Sequence, residues 1–161
     1  MKMLSCPHCH RRGFFILHGY LHGYGEKGLV RRGRRIFCSN RGNRGGCGRT
    51  WSFLLAGCIK NFMIFAGFLS RFLEKLRQGF CPAEAAREAG IRMSGTTIYR
   101  LCNRFGQNQS RIRTYLSRVK DPPPLDDVAD PVMQTIVHLK AVFTDCIVSR
   151  FQLYFQAPFF G

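Results

Sequence analysis

"CPHCH", residues 6–10, and "CSNRGNRGGCGRTW", residues 38–51, carry four cysteines as two pairs. Cys6 and Cys9 have the two-residue spacing of a knuckle, in which two thiolates on one tight turn reach a single metal ion. Cys38 and Cys47 supply the second pair, with eight residues between them where about two to four are common. The insert SNRGNRGG is rich in glycine, so it can loop out while both cysteines converge. Gly48 relieves the turn after the ligand, and Trp51 follows on a strand that packs beneath the site. The expectation is one structural zinc ion held by Cys6, Cys9, Cys38 and Cys47, with His8 and His10 as alternative ligands. Four unrelated buried thiols is the competing reading. Against it stands module size: about fifty residues bury too little to hold themselves together without a staple. Cys58, Cys81, Cys102 and Cys146 fall on expected helices or at their ends and read as small buried hydrophobes.

Outward from the cysteines, aromatic and β-branched runs at 14–20, 35–38 and 50–54 predict short strands separated by glycine turns. Residues 21–34 read as a mobile basic loop or hairpin tip. Helical spacing of Phe62, Phe65, Ala66, Leu69, Phe72, Leu73 and Leu76 predicts a helix over 59–78, ended by Gly79. Pro82 opens a second helix to Glu88. Ser94 caps a third over about Gly95 to Phe105, and a fourth covers about Gln109 to Val119. "DPPPLDD" at 121–127 is a stiff linker, and Asp130 with Pro131 starts a last helix interrupted near Thr144–Cys146. The fold class is a small β zinc ribbon followed by an all-α helix-turn-helix domain, α+β overall. The divisions are 1–57 for the ribbon, 58–120 for the helical domain, and 121–161 for the linker and a C-terminal packing or partner helix.

Charge points to the partner. The chain of 161 residues has a formal net charge of +16. Residues 1–50 hold eleven basic residues against one acidic, 51–120 twelve against three, and 121–161 two against five. Such an imbalance attracts polyanions, nucleic acid above all. The start, MKMLSCPHCH, lacks the apolar core of a signal peptide, and the apolar region Trp51 to Leu73 is broken by Lys60, Asn61, Ser70 and Arg71. The expected location is a bacterial cytoplasm, nucleoid-associated, with no membrane partner.

"FCPAEAAREAGIRMSGTTIYRLCNRFG", residues 80–106, has the grammar of a helix-turn-helix, with Ala85, Ala86, Ala89, Ile91, Ile98 and Leu101 facing inward. The start of the second helix then presents Arg92, Ser94, Thr96, Thr97, Arg100 and Arg104 to a groove. Hydroxyls and a helix N-terminus suit phosphate, and Arg suits guanine edges. Arg31, Arg32, Arg34 and Arg35, with Arg41 and Arg44 in the insert, supply backbone affinity from the ribbon. Arg111, Arg113, Arg118 and Lys120 read as phosphate grips or as a solvated helix face. Duplex DNA is favoured. RNA is the alternative, because 31–49 is an Arg/Gly tract of the kind that grips RNA.

Taken together, "CPHCH", "FCSNRGNRGGCGRTW" and "AAREAGIRMSGTTIYRLCNRF" resemble the N-terminal DNA-binding part of bacterial transposases and their accessory proteins. The resemblance covers roughly residues 4 to 106. It implies a zinc ribbon before a helix-turn-helix and binding to element ends or a promoter. It does not imply catalysis, since such transposases carry their acidic metal-binding triad in a separate, larger domain.

Two further readings compete. "HCH" at 8–10 formally matches the His-x-His signature of single-strand nucleases, with Tyr99 or Tyr115 as nucleophile, but Cys9 is better used in the knuckle. The tail "FQLYFQAPFF", 151–160, is too apolar to stay wet. It packs on Phe62–Phe72, or 130–161 docks on a homodimer mate or a separate transposase.

Overall fold

A computed structural model describes residues 4–25, 28–124 and 130–161. Glu26 and residues 125–127 of the expected linker lie outside the described residues. The chain divides into two compact units, Met1–Leu55 and Ala56–Gly161.

The first unit is an antiparallel meander of β1 (Phe15–Gly25), β2 (Gly28–Cys38) and β3 (Thr50–Leu54), in the order β1-β2-β3. Its hairpin is much longer than expected. Residues 21–25 and 28–34 are strand, not loop: Leu21 pairs Gly33, His22 pairs Arg31, and the ladder runs on to Gly25 opposite Gly28. The glycines that look like turn punctuation sit inside paired strands, and pairing across the hairpin supplies the order that local propensity withholds. Register shifts between Leu17 and Gly19 and between Leu21 and His22 let the ribbon twist. Gly33 is required by β3, since a Cβ there would lie 2.0 Å from the Phe53 carbonyl oxygen.

The second unit is helical: α1 (Ala66–Arg77), α2 (Pro82–Glu88), α3 (Gly95–Leu116), α4 (Pro131–Val142) and α5 (Ile147–Phe155). The helix expected from residue 59 begins only at Ala66. Before it the chain folds back, with Asn61 at φ 63°, a bridge between Cys58 and Phe65, and Ile59 and Ile64 buried. Gln152 donates to the carbonyls of Ala56 and Cys58, at 2.7 and 3.1 Å, and so satisfies backbone that a helix would otherwise pair. α1 and α2 both end as their glycines dictate. Gly79 (φ 89°) and Gly90 (φ 80°) sit at the left-handed position, and the next amides, Phe80 and Ile91, return to Lys75 and Ala86.

The expected third and fourth helices are one helix, α3. Gly106 lies mid-helix without breaking it, because Ile98, Leu101, Phe105, Asn108, Ile112 and Leu116 form one buried stripe through it. The cost of an interior glycine, about 1 kcal/mol, is small beside burial of that stripe. Asp130 caps α4 through its side chain, accepting from Val132 N–H at 2.9 Å, and the chain breaks between Val142 and Ile147. The tail closes the core: Phe160 meets Phe62 at 5.4 Å between ring centroids, and Phe159 stacks on Phe105 at 6.0 Å. Among the described residues no single helix is long and apolar enough to cross a membrane. The bent pair α4–α5, at 72°, reaches that length only together, and it buries Ile136, Leu139, Ile147, Val148 and Phe151 in the helical core.

Candidate metal centre and basic surfaces

The four cysteines of the ribbon come together, with their sulfurs all within 4.8 Å of one another. Cys6 and Cys47 Sγ are 3.7 Å apart, as are Cys9 and Cys38 Sγ. Two hairpin turns deliver them, and the turns match. In the first, Cys6 N–H donates to the Arg11 carbonyl at 2.9 Å and His10 N–H returns to the Cys6 carbonyl at 2.8 Å. In the second, Cys38 N–H donates to Arg49 at 2.9 Å and Gly48 N–H returns to Cys38, also at 2.9 Å. The residue after the second cysteine has positive φ in both, 57° at His10 and 75° at Gly48. The pattern is the same although one turn holds six extra residues.

Those residues leave the turn cleanly. Gly46 N–H closes the insert at its base on the Ser39 carbonyl, at 3.0 Å. A Cβ at Gly46 would lie 2.3 Å from that oxygen, so only glycine passes there. Beyond the closure Asn40, Arg41, Gly42, Asn43 and Arg44 are exposed, with Gly42 and Asn43 both at positive φ. Arg11 tethers the return arm by donating to the Gly45 carbonyl.

The donor set suits a metal ion. Cys6 and Cys38 are buried, Phe15 and Ile36 pack with them, and Trp51 lies against the cluster. Cys47 N–H points at Cys38 Sγ at 3.4 Å, a donor that steadies a coordinated sulfur. Burial works against the Cys6 thiolate, but the N–H groups of Cys9 and His8, with Cys47 and Cys38 beside it, bring its pKa down to about 6. At Cys38 burial dominates over the single Cys47 N–H, the neighbouring thiols add to it, and the pKa rises to about 12. Four thiols this close cannot all ionise alone; a bound dication makes four thiolates tolerable. With all four positions taken by protein, such a metal is structural. His8 and His10 are exposed and outside this sulfur cluster.

The arginines divide by what they touch. Arg31, Arg34 and Arg35 of β2 are exposed, whereas Arg32 is only 9% exposed and lies across the backbone of Gly23. On the helical unit Arg92 and Arg100 are exposed. Arg104 donates to Gly161 O at 2.6 Å, and Arg111 to the carbonyls of Pro158 and Phe159 at 2.9 and 2.6 Å. Arg113 reaches Gln134 at 3.1 Å, Lys120 reaches the Ala141 carbonyl at 3.4 Å, and Arg118 lies over Tyr115. Arg104 and Arg111 fasten the tail, and Arg113 and Lys120 fasten α4, contacts no local pattern in the sequence announces. Tyr115 itself packs edge-on against Phe151.

The start of α3 is open. Ser94 accepts from Thr97 N–H at 3.4 Å as N-cap, while Ala85, Ala86, Ala89, Ile91, Ile98 and Leu101 are buried beneath. Opposite the buried stripe runs an exposed one, Thr96, Arg100, Asn103, Gln107, Ser110 and Thr114, at helical spacing, with Tyr99 beside it at 66% exposure. Sequence reasoning named Thr96 and Arg100 but missed Asn103, Gln107 and Ser110, which become visible once the two expected helices are joined.

No protein-family model matches the chain, and neither a curated protein nor a solved structure shows significant similarity to it.

Proposed function

We propose that this chain is a non-catalytic DNA-binding protein of transposition or transcription control, acting at the nucleoid, with one structural zinc ion in its ribbon. A tetrahedral tetrathiolate zinc site, with bonds of about 2.3 Å, has sulfur–sulfur edges of about 3.8 Å. The two 3.7 Å edges fit that figure. Soft thiolates and tetrahedral closure select zinc over harder cations.

The observation that carries DNA binding is the exposed stripe of α3. The helix has 22 residues and contains no carboxylate. Thr96, Arg100, Asn103 and Gln107 are the side-chain types that pair with base edges in a major groove, and the capped N-terminus favours phosphate. α2, its turn and α3 then act as a helix-turn-helix, in line with the resemblance to transposase DNA-binding regions. Glu74, the one acidic residue among those described that is not exposed, is held by Arg77 at 2.7 Å and Lys140 at 3.7 Å, which supports a structural use of that carboxylate.

The test is a titration of the zinc-loaded protein, at two salt concentrations, against duplex DNA flanking its own gene, a scrambled duplex, and a structured RNA of equal length. The native duplex is expected to win and to keep its advantage at higher salt. Arg100→Ala should cost about 1–3 kcal/mol on the native duplex and relax preference at one base position. Equal fading of all three nucleic acids with salt, and an Arg100 variant that acts on all alike, would overturn the reading.

A further inference from the structure

The ribbon carries a second surface that the α3 reading does not use. Tyr20, Arg34 and Phe53 form one row across the three strands, Tyr20 paired with Arg34 and Arg34 with Phe53. Cross-strand partners in an antiparallel sheet project to the same face. Tyr20 is 44% exposed and Phe53 53% exposed. The ring of Tyr20 is held rather than free. The Arg31 guanidinium lies 3.9 Å from its centroid, that of Arg34 lies 5.0 Å away, and Arg34 donates to the Tyr20 hydroxyl at 3.3 Å. The ring of His22 meets Tyr20 edge-on at 6.2 Å.

We infer that this face binds unpaired bases, and so takes a single strand of nucleic acid. Three features lead there. Two exposed aromatic rings sit two strands apart, about 10 Å, a spacing that serves bases of an extended strand and not the closed stack of a duplex. Arg31, over the Tyr20 ring at 3.9 Å, offers a guanidinium on which a base continues the stack. The surroundings are cationic: Arg31 and Arg34 on this face are exposed, and the only acidic residue between Met1 and Leu55 in the sequence is Glu26. An anionic, π-faced ligand matches on both counts, whereas a protein partner with an apolar face would meet guanidinium groups in the middle of the row. Tyr20 and Phe53 are the stacking residues, Arg31 extends the stack on Tyr20, and Arg34 holds a phosphate. The inference does not rest on α3.

The test uses the full-length, zinc-loaded chain and fluorescently labelled 12-mers of thymidine, of uridine, and of a base-free deoxyribose-phosphate strand, at several salt concentrations. Both base-bearing strands should bind, and the base-free strand at least about fivefold more weakly, the lower limit for stacking of one base. Preference between the thymidine and uridine strands tells DNA from RNA. Tyr20→Ala and Phe53→Ala should each lose about 5- to 150-fold on base-bearing strands, with zinc content unchanged, whereas Phe53→Tyr retains binding. Arg34→Gln should lower the salt slope by about 0.7, one phosphate contact on a single strand. Arg100→Ala should leave single-strand affinity intact, which separates this face from α3. If an alanine variant loses its zinc, photocrosslinking of 5-iodouridine strands to the unaltered protein decides, with adducts expected at Tyr20 or Phe53. Equal affinity for the base-free strand, or adducts confined to other segments, would overturn the inference.

Discussion

The ribbon and the helical unit hold together by different means. Among its described residues, Met1–Leu55 buries only Cys6, Phe15, Ile36 and Cys38 as a connected core, two of them metal-ligand candidates. Ala56–Gly161 buries a continuous cluster from Ile59 to Phe160 that draws on all five helices. A core of four side chains cannot offset the ordering entropy of about fifty residues, whereas the larger one can. Given the proposed metal site, one unit depends on a bound ion and the other on its own packing, and changes to either should leave the other standing.

Metal removal tests this contrast most strongly. Structural zinc in small modules contributes on the order of 10 kcal/mol to folding. Chelation, or Cys38→Ser, should abolish protection from hydrogen exchange across β1, β2 and β3 while helical circular dichroism persists. Loss of both signals together would mean that the helical unit leans on the ribbon. The reverse experiment is Phe151→Ala. Phe151 is fully buried and contacts Tyr115, Phe155 and Phe159. Its removal should cost about 3–5 kcal/mol in denaturant unfolding of the helices, with metal stoichiometry unchanged.

The same division explains what could be read in the sequence. Features decided within a few residues were legible. The paired cysteines, Pro82 after Gly79, Gly90 after Ala89, Ser94 before α3 and Asp130 before Pro131 all mark structure where they stand. Features decided by distant partners were not. Gly19, Gly23 and Gly33 look like turns until the opposite strand is known, and Gly106 looks like a break until Ile112 and Leu116 are seen to continue the buried stripe of Phe105. That Arg104 and Arg111 hold the tail emerges only when residues 158–161 arrive beside them. The convergence of the four cysteines was therefore legible in full, and the basic surfaces only in part. A local change at a legible feature should have a local effect. Ser94→Ala removes the N-cap of α3 and should cost about 1 kcal/mol, with fraying confined to its first turn by hydrogen exchange.

The smallest expected effect is the sharpest probe of the ribbon. The two cysteine turns share one hydrogen-bond pattern although eight residues separate Cys38 from Cys47 and two separate Cys6 from Cys9. Ser39 and Gly46 already meet across the base of the insert, at 3.0 Å from nitrogen to oxygen. Excising Asn40–Gly45 would join them as Cys-Ser-Gly-Cys-Gly, with the spacing of the first turn. Shortening the loop lowers its closure cost by about 1 kcal/mol, which offsets the loss of the Arg11 tether and of Arg41 over Phe37 at 5.3 Å. Metal should therefore bind with one-to-one stoichiometry and an affinity within about tenfold of the parent, since 1.4 kcal/mol is a factor of ten. Binding of duplex DNA should lose salt dependence if Arg41 and Arg44 meet phosphates, by up to about 1.8 in slope. A metal centre that survives while the slope falls makes the insert a contact loop carried by an ordinary knuckle. A centre that fails would make the six residues part of the knuckle itself, and the equivalence of the two turns would be only apparent.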